Sequence, residues 1–182
     1  MRIETPALLS DDVAEEFCKL YRTAFEPLDV LAAARQSLTD EEFLEELAHP
    51  SVFKWLVYDD FDRPCALSFM TNDLTTVPWV SIPFYKARFP DHFERKAIYY
   101  FGGLLVHPEY QGSSVVKDLL VQVMLKVGAD DAICAFDCCG FNVDVKRFPK
   151  LVGDFAELVN EFVDLQEVDV QRYYAYVMKG NK

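Results

Sequence analysis

The stretch LLVHPEYQGSSVVKDLLVQVM, residues 104–124, holds residue types suited to binding an anion. It opens apolar, breaks at His107 and Pro108, passes through Gln111, Gly112, Ser113 and Ser114, and closes on a helical apolar pattern. A strand that hands over to a helix through a short loop of small residues aims free backbone N–H groups at that loop. The helix dipole adds positive potential there, so a pyrophosphate would fit. Phosphate loops usually carry several glycines, because the phosphate must approach the backbone closely. This loop has one. Ser114 is small and its hydroxyl can donate a bond. Val116 is tolerable only inside the helix, where no positive φ is asked of a β-branched residue.

Other chemistry is harder to build. The five cysteines, Cys18, Cys65, Cys134, Cys138 and Cys139, include no CxxC pair. Their odd number, with acidic residues arriving too early for a secretory leader, implies reduced thiols and a cytoplasmic setting. A nucleophilic Cys138 or Cys139 would want a neighbouring base, and the sequence places none. The histidines, His49, His92 and His107, are far apart and not at metal-ligand spacing, so no metal is expected.

The elements that would position the loop can be read from periodicity. RIETPA is a short first strand. Ser10 opens a helix with Val13, Phe17, Leu20, Tyr21 and Phe25 at helical spacing. Pro27 breaks it, and a second helical stretch follows over 28–37. Thr39 and Glu42 form a capping box for a helix to about Ala48. Residues 52–58 and 64–71, separated by DDFDR, make a hairpin. Residues 72–96 form an aromatic, proline-rich insertion. Residues 97–106 are a strand, in which Gly102-Gly103 marks a bulge that splays it from its neighbour. Val115, Val116, Leu119, Leu120, Val123, Met124 and Val127 share one helical face. Residues 132–139 are a strand, a helix starts near Asn142, and the alternation of 168–178 predicts a last, half-buried strand. The expected fold is α/β, a mixed, mostly antiparallel central sheet flanked by helices, in a single domain over 1–182.

Apolar residues make up 51 % of the chain, enough for a core, and no apolar run is long enough to span a bilayer. The formal net charge of −12 argues against nucleic acid as a partner. It favours a cationic acceptor, or it is simply a solvated acidic surface.

The run LLVHPEYQG with its following helix resembles the GNAT superfamily, the acetyl-CoA-dependent N-acyltransferases. Val106, Pro108, Gln111 and Gly112 fit the family motif. Ser114 and Val116 stand where its two later glycines usually stand. A second family motif is similar to the segment from Asn142, with Val145 and Phe148 at its apolar positions and Gly153 at its glycine. Pro149 stands in place of the family's acidic tyrosine. Asp137 matches a carboxylate that some members use as general base.

The resemblance implies acetyl-CoA or another acyl-CoA as co-substrate. The backbone of Leu104, Leu105 and Val106 would bind the pantetheine arm and polarise the thioester carbonyl. The loop Gln111, Gly112, Ser113, Ser114, Val115 and Val116 would hold the pyrophosphate, and Asn142 would contact the cofactor. Asp137 would take the ammonium proton, and Tyr100 (or Tyr99) would help order the acceptor. The acceptor is then a small-molecule or peptide amine, with no nucleic acid or membrane involved and a homodimer left open. Each residue also has a plainer reading: Asp137 as a surface carboxylate, Gln111 as a turn residue, Asn142 as a helix cap, Tyr100 as a core aromatic. Two other functions stay open: a non-catalytic protein that keeps the fold and binds a ligand or protein, and acyl transfer from a carrier other than CoA.

Overall fold

The computed structural model describes residues 1–178. Five strands form one sheet in the order β1-β2-β3-β4-β5. They are β1 (Arg2–Glu4), β2 (Val52–Tyr58), β3 (Pro64–Thr71), β4 (Ile98–Val106) and β5 (Ile133–Ala135). The pairings β1/β2, β2/β3 and β3/β4 are antiparallel, and β4/β5 is parallel. The fold is therefore α/β with a mixed, mostly antiparallel sheet, as its sequence pattern implies.

Helices cover both faces. On one lie α1 (Asp11–Phe25) and α2 (Asp40–Ala48). Thr39 and Glu42 close both halves of the capping box at the start of α2, satisfying two otherwise orphaned N–H groups. Phe17, Phe43 and Leu47 are wholly buried against Leu56, Leu67 and Leu105. On the other face lie α5 (Val115–Ala129) and α7 (Phe148–Glu157). Leu119, Leu120 and Val123 of α5 are 0 % exposed. Each such side chain contributes roughly 1.5–3 kcal/mol of burial.

The middle of β4 carries a bulge. Phe69 of β3 pairs with Gly103 while Met70 pairs with Phe101, so Gly102 is an extra residue in the strand. The bulge reverses which parity faces which layer. Before it, Tyr99 and Phe101 face α5; after it, Leu104 and Val106 do. Glycine is required here by packing. A Cβ at Gly102 would lie 2.3 Å from Cε2 of Phe69, and one at Gly103 2.9 Å from its Cε1.

The segment between β3 and β4 is ordered. A 3-10 turn at Leu74–Thr76 leads into α3 (Ile82–Arg88) and α4 (Pro90–Glu94). Its Leu74, Val77 and Tyr85 pack on Ile98 and Tyr100 of β4, with Ala135 of β5 at the margin.

Several expectations need correction. The 28–37 stretch is not a helix. Only a 3-10 turn at Glu26–Val30 forms, because Pro27 can start a turn but the next residues present no continuous apolar stripe. The strand expected over 132–139 is three residues long, since its pairing with β4 stops at Ala135. The helix expected from Asn142 is two helices, α6 (Gly140–Asp144) and α7. Arg147, at a left-handed φ of 52°, turns the chain between them. Pro149 falls in the first turn of α7, where a missing N–H costs nothing. Residues 168–178 form no strand and are exposed rather than half buried. Their alternation is real, but among the described residues they pair with no strand.

Candidate active site

The site begins where β4 and β5 part company. Their parallel pairing runs from Ile98/Ile133 to Tyr100/Ala135 and stops. From Phe101 to Val106, β4 has no partner strand on that side among the described residues. Leu104, Leu105 and Val106 thus line an open backbone edge. Phe148 of α7 sits beneath the parting, its ring centroid 6.3 Å from that of Phe101 and 5.9 Å from that of Phe136.

The open edge leads directly into the 111–116 loop. After Val106 come a 3-10 turn at Pro108–Tyr110, then Gln111 in extended conformation, then Gly112 at φ 84°. A Cβ at Gly112 would meet nothing within 4 Å, so only its backbone angle demands glycine. Ser114 caps α5 in right-handed conformation, and Val115 and Val116 are the first residues of the helix. Val116 is therefore unstrained. The Val115 N–H reaches Ser113 Oγ at 3.3 Å and the Asp118 N–H reaches the Ser114 carbonyl at 2.8 Å. The N–H groups of Gly112, Ser114, Val116 and Lys117 have no acceptor among the described residues. One feature opposes an anion: the Ser114 hydroxyl donates to Asp118 Oδ2 at 3.0 Å, placing a carboxylate in the first turn. The Val115 side chain is buried in the core, so only its backbone faces the loop.

The turn that carries the loop is held by groups that sequence spacing does not connect. The Tyr110 hydroxyl donates to Asp59 Oδ2 at 2.6 Å and accepts from Arg63 Nη2 at 3.0 Å. Asp59, 6 % exposed, also accepts from the Phe61 and Arg63 N–H groups and from Arg63 Nε. Tyr110, with those backbone and guanidinium donors, holds the Asp59 carboxyl well below the usual carboxylate range. Tyr110 in turn accepts the Ser113 hydroxyl on its carbonyl at 2.6 Å. The β2–β3 hairpin is thereby tied to the loop.

Past the end of β5, Asp137 meets Tyr100. The Tyr100 hydroxyl donates to Asp137 Oδ1 and accepts from Trp79 Nε1 at 3.1 Å. Tyr100 is 3 % exposed beneath the 72–96 segment. Burial, and then the Asp137 carboxylate, push its phenol above the usual range. The phenol keeps its proton and points it at Asp137. Asp137 itself is exposed, and its Oδ2 accepts no hydrogen bond among the described residues. Tyr99 points to the opposite face and bonds Asp130. Cys138 is pushed up to about 12 by burial, so it is no thiolate. Asn142 lies inside α6, after a cap at Cys139, and no hydrogen bond joins it to the 111–116 loop. A cleft of about 290 Å³ lined by Met1, Ile3, Val57 and Val115 lies under α5, away from the Tyr100–Asp137 pair.

Sequence reasoning named both partners of that pair and the loop. It missed Trp79 and the Asp59–Tyr110–Arg63 cluster. The only signal for Trp79 was the aromatic density of 72–96; the cluster joins residues up to 51 positions apart and left no sequence signal.

No family profile matches the sequence, and no curated protein matches it significantly. Solved structures do match in shape. An apo aminoglycoside antibiotic 6'-N-acetyltransferase, AAC(6')-IG from Acinetobacter haemolyticus, superposes with a TM-score of 0.57 at 15 % identity, covering 98 % of this chain and 100 % of that one. The aminoglycoside N-acetyltransferase AAC(6')-Iy, in complex with CoA, gives 0.53 at 14 % identity over 96 % and 95 %. A Desulfovibrio desulfuricans protein assigned to the GNAT family of acetyltransferases gives 0.52 at 14 % identity over 82 % of each chain. The chain has the fold of the GNAT acetyltransferases.

Proposed function

We propose that the chain is a divergent GNAT-type N-acyltransferase that moves an acetyl group from acetyl-CoA to a small, cationic amine. The observation that carries this reading is the continuity of three features. The unpaired edge of β4 runs into the positive-φ loop at Gly112 and opens beside the Asp137 carboxylate. Its structural neighbours include aminoglycoside N-acetyltransferases, one of them in complex with CoA. The net charge of −12 suits a cationic acceptor.

In this reading the free N–H groups of the β4 edge align the pantetheine arm and polarise the thioester carbonyl. Backbone N–H groups of Gly112, Ser114, Val116 and Lys117 take the pyrophosphate. The acceptor arrives as an ammonium and gives its proton to Asp137 Oδ2, directly or through water. The free amine attacks the carbonyl carbon, the C–S bond breaks, CoA leaves as a thiolate, and the second proton of the attacking nitrogen passes to that thiolate or to water. Tyr100 is a positioning residue: it holds Asp137 by Oδ1 and leaves Oδ2 for the proton. No tyrosine acid is required, because a thiolate is a tolerable leaving group. Asn142 is left as a cofactor contact only if α6 moves toward the loop.

The test is thiol release from acetyl-CoA with a panel of small amines that includes aminoglycosides. Amine-dependent release that falls about 100-fold or more in Asp137→Asn supports the reading. Release that is independent of every amine overturns the reading, and release unchanged in Asp137→Asn at all pH values removes Asp137 from the mechanism.

A second reading has one observation in its favour. The Ser114 hydroxyl and the Asp118 carboxylate occupy the first turn of α5 with negative charge where a pyrophosphate would sit. A protein that keeps the fold but binds a different ligand would show this. Asp118→Asn separates the two: it tightens acetyl-CoA in an acyltransferase and changes nothing in a protein that does not bind CoA.

A further inference from the structure

The indole of Trp79 is 54 % exposed, yet it is held in place. Its Nε1 donates to the Tyr100 hydroxyl at 3.1 Å, and its ring meets that of Tyr100 edge-on, 6.3 Å between centroids. The same hydroxyl donates to Asp137 Oδ1. Indole and carboxylate therefore bond one shared oxygen atom, and an open aromatic surface stands beside Asp137. Among the aromatic side chains tryptophan attracts a cation best.

Tyr85 of α3 adds a polar group to the same wall. Its side chain is 8 % exposed and packs with Ile98 and Tyr100. Its hydroxyl has no hydrogen-bond partner among the described residues, where no wholly buried polar side-chain atom lacks one, so it opens onto free space. Burial, and then the Asp137 carboxylate, raise its phenol above the usual range, and Asp137 is the only charged group that acts on it. The rest of the wall is apolar. Val80, Ile82 and Phe84 pack on this cluster, and α3 carries Lys86 and Arg88 but no acidic residue. One carboxylate beside an aromatic wall matches one positive charge on an apolar body. A polycation would bring further charges to a surface that cannot pair them.

We propose that the acceptor is an arylalkyl monoamine, whose ring lies on the Trp79 indole while its ammonium spans Asp137 Oδ2 and the Tyr85 hydroxyl, a proposal that rests on the acyl-transfer reading. Trp79 then selects the body of the acceptor, and Tyr85 holds its nitrogen beside the proton acceptor.

Thiol release at saturating acetyl-CoA, measured with 2-phenylethylamine, ethylamine, spermidine and kanamycin, tests this. The highest kcat/KM is expected for 2-phenylethylamine. Trp79→Ala should lower that value about tenfold more than the value for ethylamine. Loss of the bond to Tyr100 alone would lower both amines by one factor, so their ratio isolates the indole face. Trp79→Phe, which keeps an aromatic face without that bond, should restore most of the ratio. Tyr85→Phe should raise KM for either amine by about tenfold, with KM for acetyl-CoA unchanged. Thermal melts show which variants fold. A higher kcat/KM for spermidine or kanamycin, or an unchanged ratio in folded Trp79→Ala, would overturn the proposal and leave acyl transfer standing. An unchanged amine KM in folded Tyr85→Phe would remove Tyr85 from the site. No release with any of these amines also overturns the proposal, and an absent acetyl-CoA-driven rise in the thermal midpoint would then remove the acyl-transfer reading with it.

Discussion

In the proposed reading Asp137 takes the proton and Tyr100 holds Asp137 in place, so their substitutions separate by effect. Asp137→Asn removes the proton acceptor. Tyr100→Phe keeps the aromatic packing but frees Asp137 to rotate, and is expected to lower kcat with a smaller change in KM for acetyl-CoA. Steady-state kinetics with acetyl-CoA varied, beside a thermal melt of the variant, checks this; an unchanged kcat in the folded variant would contradict it. Gly112, at φ 84°, makes the sharpest residue-level case. Space around it is open, so Gly112→Val tests backbone angle alone. The strain is about 1–2 kcal/mol, read as a lower thermal midpoint together with weaker acetyl-CoA binding. The sequence showed Gly112 and Asp137 because glycine in a strand-loop-helix and a carboxylate near a strand end are visible as letters. It did not show that Tyr100 lies under Trp79, because that contact depends on how the 72–96 segment folds.

At the scale of elements, the bulge in β4 and the anchor of the loop decide the geometry. Gly102→Ala drives a Cβ into the Phe69 ring, which is itself 2 % exposed and edge-on to Phe43. A loss of about 1–3 kcal/mol is expected, typical of overpacking, measurable by denaturant unfolding. The Asp59–Tyr110 anchor has a pH signature. The folded-state pKa of Asp59 is depressed, so its contribution is present above the unfolded value of about 3.9 and is lost as pH falls through the lower folded value. The midpoint advantage of the native protein over Asp59→Asn should therefore narrow below about pH 4. A difference that stays constant from neutral to acid pH would contradict the assignment. The pair Gly102-Gly103 signalled the bulge in the sequence, and Thr39 with Glu42 signalled the cap. The break of the 140–157 region into α6 and α7 was not legible, because it turns on Arg147 adopting a left-handed conformation that its residue type does not advertise.

For the whole molecule, periodicity was sufficient for the layered fold. The apolar stripe of α5, the β2–β3 hairpin and the order of elements all follow from it. Leu119→Ala, at a 0 % exposed position between α5 and the sheet, should cost about 2–5 kcal/mol as buried cavities do. Periodicity failed at 168–178 for a physical reason. Alternation states that a segment can be a strand, but a strand exists only with a neighbour, and the neighbour is not encoded in the segment. Among the described residues no helix is long and apolar enough to cross a membrane.

If the one-glycine loop at the start of α5 holds CoA, acetyl-CoA must stabilise the folded chain. The most direct measurement is the thermal midpoint with and without acetyl-CoA, with dephospho-CoA and unrelated nucleotides as controls. At a hundredfold excess over its dissociation constant, a ligand adds about 2.7 kcal/mol, which raises the midpoint of a chain this size by roughly 5–10 °C. That rise is expected for acetyl-CoA, and a diminished one in Gly112→Val. No rise at saturating acetyl-CoA, or an equal rise with unrelated nucleotides, would contradict it.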